Sequence, residues 1–241
     1  MTDRSAGPSP MVHARVAGLG YLIIIATGIF AEFFVRSSLI VPGDAAATAS
    51  AITASESLFR TGMASELLML VCDVIVALAL YVIFERVSRS LALLAAFFRL
   101  AHAAIVAINL LNMYVPLLLL GDGPHLAALE GAQLQALALV FLAAQSYGYV
   151  IGLVFFGVHC LLLGYLVWKS RYAPRTLGVL LMCAAVGYLA DSFGRTLLLS
   201  YEAYENVFLL VVFVPAFVAE LSFSSWLLVK GVDVRRTRSE G

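Results

Sequence analysis

Charge is scarce in this chain of 241 residues. Asp, Glu, Lys and Arg make up 12% of it, about half of the roughly 25% usual for a soluble domain. The fifteen basic and fifteen acidic residues cancel. There is thus no basic excess of the kind that holds nucleic acid, and no nucleic-acid partner is expected. Cysteine is equally sparse. Cys72, Cys160 and Cys183 are far apart, each lies inside an apolar run, and none forms a C-x-x-C pair. This excludes a disulfide framework and zinc-ribbon spacing, and the three read as buried thiols acting as small hydrophobes. H-E-x-x-H, G-x-S-x-G and a paired-aspartate signature are all missing, so an enzyme is not the expected reading, and no cofactor is indicated. A cleavable signal peptide is also not expected. Residues 1–10 are polar, the apolar run at 16–35 has the length of a full span, and Met11 is an alternative start.

What the chain has instead is hydrocarbon. Hydrophobic residues are 62% of it, more than a soluble fold of this size can bury. A bilayer core needs about 20 apolar residues as helix, and six stretches qualify: 12–35, 59–84, 90–120, 146–168, 175–199 and 206–229. They are continuous rather than alternating, so helices and not barrel strands satisfy the backbone. The expected fold is all-α, a polytopic bundle of six transmembrane helices spanning 12–230. A disordered cytoplasmic tail at 1–11 precedes it and a basic cytoplasmic tail at 231–241 follows. The lipid bilayer is the expected partner, and the oligomeric state is left open.

Lysine and arginine orient the bundle. Eleven of the fifteen fall on one side, before the first span, between the second and third, between the fourth and fifth, and after the sixth. The other side has only Arg36 and Arg60, while Arg99 and Arg195 lie within spans. Both termini are therefore expected in the cytoplasm, the protein crossing the inner membrane. Two outer segments carry signals of their own. Asp44, after Pro42-Gly43, is a good N-cap for a short helix. Residues 126–145 read as an apolar helix lying along the outer interface. A break is expected near Ser146-Tyr147-Gly148, since a helix through to Trp168 would be about 64 Å long.

Several segments carry a resemblance. They are Ala14-Arg15-Val16-Ala17-Gly18-Leu19, Thr27-Gly28-Ile29-Phe30-Ala31-Glu32, Leu39-Ile40-Val41-Pro42-Gly43-Asp44, Leu94-Ala95-Ala96-Phe97-Phe98-Arg99-Leu100, the run from Tyr147 to Gly157, and Gly187-Tyr188-Leu189-Ala190-Asp191-Ser192. In these the chain resembles an uncharacterised bacterial membrane family, domain of unknown function 4386. The resemblance implies a small multi-span membrane protein and no particular activity.

Function must then be read from charges that lipid penalises, at about 2.5–3.5 kcal/mol each near the bilayer centre on insertion scales. Glu66 and Asp73, seven residues apart, share one face of the second span. Arg99, His102, Asn109 and Asn112 make the third span the most polar. Asp191 and Arg195 are an i,i+4 pair on the fifth, Glu220 lies on the sixth and His159 on the fourth. Counting depth from both sides predicts an Asp73–Arg99 ion pair with His102 adjacent, within a polar core connected from mid-membrane outwards. Glu32 and Arg36 read as an interfacial i,i+4 pair. Helix register, interhelical hydrogen bonding and simple packing are the ordinary uses of such residues. Three functions remain open: an internal site for a small or lipid-like solute, a structural or accessory subunit, and a hydrolase with metal held by His102 and His159 as weak candidate ligands.

Overall fold

A computed structural model describes residues 10–198, 201 and 212–232. The remaining parts of the expected tails, with Arg4, Arg235, Arg236 and Arg238, lie outside these residues. So do Tyr204 and the start of the expected sixth span at 206–211.

Among the described residues every regular element is helical. The order is α1 (Pro10–Leu39), α2 (Ala45–Ala54), α3 (Glu56–Phe84), α4 (Arg89–Asn109), α5 (Leu111–Leu119), α6 (Gly131–Ser170), α7 (Arg175–Leu197) and α8 (Val214–Val229). Five runs are long and apolar enough to cross a bilayer: α1, α3, α4 continued by α5, α6 and α7. The chain is an all-α, multi-pass membrane bundle. The 16 residues of α8 rise about 24 Å, and the chain is already helical at Val212 and Phe213, before which residues 202–211 lie outside the described ones.

Local chemistry sets the helix ends. The Asp44 side chain accepts from the Ala47 N–H at 2.9 Å and caps α2 as expected. The turn before it uses Gly43 at φ +77°, a conformation open to glycine. At the start of α6, the Glu130 N–H donates to the Gln133 side chain at 3.1 Å, half of a capping box. This cap starts the helix at Gly131 rather than at residue 126. Leu126 lies in a short 3-10 turn.

Three expectations need correction. First, α6 runs unbroken for 40 residues through Ser146, Tyr147 and Gly148. Gly148 serves close packing rather than a break: a Cβ there would overlap the Asn109 side-chain amide. Second, the helix expected from residue 126 begins at Gly131, whereas the span expected at 90–120 is one run, Arg89–Leu119, with Leu110 still helical at φ −59° and ψ −22°. Pro116 in α5 cannot donate to the Asn112 carbonyl one turn back. Third, Cys72 and Cys160 are buried but Cys183 is exposed, because it falls outside the packed stripe of α7.

The chain divides into two compact units. One comprises Met1–Ile23, Cys72–His102 and Leu153–Gly241, the other Ile24–Val71 and Ala103–Gly152. In the first, Phe156, Cys160 and Ala185 form a buried cluster. There α6 and α7 approach so closely that a Cβ on Gly164 would lie 2.6 Å from the Gly178 carbonyl oxygen. In the second unit, Val35, Leu39, Phe59, Met63, Met113 and Leu142 are packed together. The helix α3 shows how sequence sorts the faces. Phe59, Met63, Glu66, Leu70, Asp73 and Ala77 are buried, at the alternating three- and four-residue spacing of one helix face. Leu67, Val71, Val74 and Leu78 on the other side are exposed, as lipid-facing residues are.

Candidate functional site

The first unit gathers polar side chains from five helices around Arg99, which is fully buried on α4. Its Nη2 lies 2.5 Å from Asp73 Oδ1 of α3. The contact is an ion pair without the angle of a hydrogen bond. The two hydrogens of Nη1 have separate acceptors: Tyr21 Oη of α1 at 2.8 Å and His159 Nε2 of α6 at 3.1 Å. Because Nη1 only donates, His159 Nε2 must accept. His159 Nδ1 then carries the proton and donates to the Ala95 carbonyl at 2.8 Å. The imidazole is thereby held as one neutral tautomer with both nitrogens engaged. Aromatic rings complete the shell, with the guanidinium carbon 4.5 Å from the Tyr21 ring centre and 5.4 Å from that of Phe156. Neither Nε nor Nη2 of Arg99 makes a hydrogen bond among the described residues.

Phe156 links this centre to its neighbours. Its ring centre is 5.0 Å from that of His102, 5.8 Å from His159 and 5.5 Å from Tyr188. Tyr188 of α7 donates its hydroxyl to Glu220 of α8 at 2.6 Å. The set thus holds one guanidinium, two carboxyl groups and two imidazoles, with Asp73, His102, His159 and Glu220 all buried. A cavity of about 10 Å³ reaches His159 between Ala77, Ala92, Ala95 and Ala96, room for roughly one water.

The other sequence-selected residues fall in different places. Glu66, Asn109 and Asn112 belong to the second unit. There Asn109 Nδ2 donates to the Gln145 carbonyl at 2.7 Å, and its Oδ1 accepts from Asn112 at 2.9 Å. Arg36 binds Glu32 at 2.7 Å, as the i,i+4 reading expects. It also pairs with the buried Glu66 across 30 residues of sequence, which that reading missed. Glu66 Oε2 has no hydrogen-bond partner. In the first unit Asp191 and Arg195 pair at 3.3 Å. Tyr201 donates to Asp191 and lies with its ring 4.6 Å from the Arg195 guanidinium carbon. Burial and the Asp191 bond push the Tyr201 hydroxyl up to about 12, so at neutral pH it remains a donor.

Sequence reasoning found Asp73, Arg99 and His159 but passed over Tyr21. The available signal was a hydroxyl-bearing ring in the middle of an otherwise aliphatic run. Among the described residues no three His, Cys, Asp or Glu side chains are grouped as metal ligands. His159 could ligate only by giving up Arg99 or Ala95.

The family model described as "Domain of unknown function (DUF4386)" matches residues 16–231 of the chain. A relative described as "Uncharacterized protein" from Archaeoglobus fulgidus is 32% identical over 164 residues, which is 68% of this chain and 80% of the relative. No solved structure matches.

Proposed function

The chain belongs to the DUF4386 family, and from its buried polar core we propose that it binds, and by opening transports, a small polar or lipid-like solute inside the membrane. The observation that carries this reading is Arg99, fully buried with its Nε and Nη2 donors making no hydrogen bond. Around it stand Asp73, His159 and Tyr21, with Glu220 and Tyr188 in the adjoining pair. Lipid makes such a set costly, and intramembrane charges concentrate where solutes or protons pass. The one-water cavity beside His159 corresponds to a closed form. This reading takes α8 as the inner part of a sixth span in the inner membrane, with both termini in the cytoplasm.

The test is a thermal-stabilisation screen of small solutes against the purified protein and its Arg99→Leu variant. A solute of the site raises the melting temperature of the wild type and leaves the variant unmoved. At a hundredfold excess over Kd the stabilisation is about 2.7 kcal/mol. A broad panel with no such solute, together with unchanged cell physiology for Arg99→Leu, would refute the proposal. A second reading, a structural or accessory subunit, is favoured by the number of helices that meet at Arg99. Side chains from α1, α3 and α6 on one guanidinium also serve to lock helix register. Metal-dependent hydrolysis ranks last, because both His159 nitrogens are engaged.

A further inference from the structure

A second concavity, away from the Arg99 centre, opens on the surface of the first unit and encloses about 410 Å³, within the range of small-molecule sites. One wall is a single stripe of α8, Ser222, Ser225, Trp226, Val229 and Lys230. These positions follow the three- and four-residue spacing that keeps side chains on one helix face, over about 12 Å of rise. The opposite wall is Pro174, Thr176 and Leu177 at the start of α7. Along α8 the groove has Lys230 beside Val229 at one end, the Trp226 ring between, and the Ser225 and Ser222 hydroxyls toward the other.

Its polar groups are unused. Helix hydroxyls in this chain ordinarily turn back on their own carbonyls, as those of Thr53, Thr61, Thr196 and Ser224 do. The hydroxyls of Thr176, Ser222 and Ser225 have no partner among the described residues, and neither does the Trp226 indole N–H. The Trp226 nitrogen is buried, whereas the three open hydroxyls line the groove and are free to bond a polar ligand. Charge selects which one. Lys230 has no ion pair among the described residues. Arg175, between two lining residues, is engaged only by the Trp168 ring, 5.4 Å from its guanidinium carbon. Lys169 and Arg171 lie in the same connection, and no Asp or Glu occurs at 161–190 or 221–232.

We infer that this groove binds the headgroup of an anionic phospholipid. Lys230 meets the phosphate, the Ser222, Ser225 and Thr176 hydroxyls meet the phosphate and ester oxygens, and Leu177 and the Trp226 ring meet the first methylenes. Basic pockets between transmembrane helices suit such lipids, and Lys230 faces the groove with no acidic side chain in its lining.

The experiment is native mass spectrometry of the detergent-purified full chain, titrated separately with phosphatidylglycerol, phosphatidylcholine and inorganic phosphate. Phosphatidylglycerol is expected to bind more tightly than phosphatidylcholine, with inorganic phosphate weaker than either. Lys230→Glu, an exposed position that does not disturb the core, should weaken phosphatidylglycerol at least about fivefold, from roughly 1 kcal/mol per basic side chain. Ser222→Ala with Ser225→Ala should weaken it as well. Lys169→Glu, at the same end but outside the groove, should change it less than about twofold. Equal affinity for the two lipids, equal loss in Lys169→Glu and Lys230→Glu, or phosphate binding as tight as lipid would each overturn the assignment.

Discussion

Asp73 is the residue whose removal should be felt most. Its carboxylate is the group that neutralises Arg99 at 2.5 Å, with both side chains out of reach of water. Truncation leaves a buried cation without its counter-ion, which costs about 3–5 kcal/mol. Asp73→Ala is therefore expected to lower the melting temperature sharply in detergent. The double variant Asp73→Leu with Arg99→Met should recover much of the loss, because it removes both charges and keeps the volume. A double variant no more stable than Asp73→Ala would show that the pair is not what stabilises this region. His159→Phe keeps the ring but frees one Arg99 hydrogen and the Ala95 carbonyl. At about 1–3 kcal/mol for a buried group left unsatisfied, its melting temperature should fall less than that of Asp73→Ala. Much of this centre was legible from the sequence, because depth can be counted along a span: Asp73 enters from one side and Arg99 from the other. Tyr21 was not, since its partner lies 78 residues away and a tyrosine in an apolar run also reads as packing. The Arg36–Glu66 pair was hidden by Glu32, which already accounts for Arg36 locally.

At the scale of the element, glycine is where reading and structure part. Ser146-Tyr147-Gly148 looks like a break because a helix of this length exceeds a bilayer. Serine and glycine weaken a helix only by about 0.5–1 kcal/mol per residue relative to alanine, which tertiary packing overrides. What Gly148 does is leave room for Asn109, whose amide joins the Gln145 carbonyl and Asn112. Gly148→Leu should therefore displace Asn109 and break that bond, lowering stability by about 1–3 kcal/mol through overpacking. Gly131→Leu, with nothing within 4 Å of its Cβ position, should leave the melting temperature unchanged. Equal effects at the two positions would count against this packing.

For the whole molecule the open quantity is the parity of crossings. Five described helices are long enough to span. An odd count would put the end of α8 opposite the start of α1. The distribution of lysine and arginine argues for an even one. Arg15, the Arg86 and Arg89 pair, the Lys169–Arg175 connection and Lys230 fall on a single side only if α8 completes a sixth crossing. Single cysteines read this directly, with a membrane-impermeant thiol reagent applied to intact cells. Cys72 and Cys160 are buried, and Cys183 faces outward from the packed stripe of a lipid-embedded helix, so the background labelling should be low. Asp122→Cys and Val41→Cys are expected to label in intact cells, and Glu85→Cys and Lys169→Cys only after permeabilisation. Lys230→Cys is decisive. Labelling with the Glu85 group establishes the sixth crossing and a cytoplasmic C-terminal end. Labelling with the Asp122 group would mean that α8 does not cross, that the basic residues after it lie outside, and that the positive-inside count misleads in this chain.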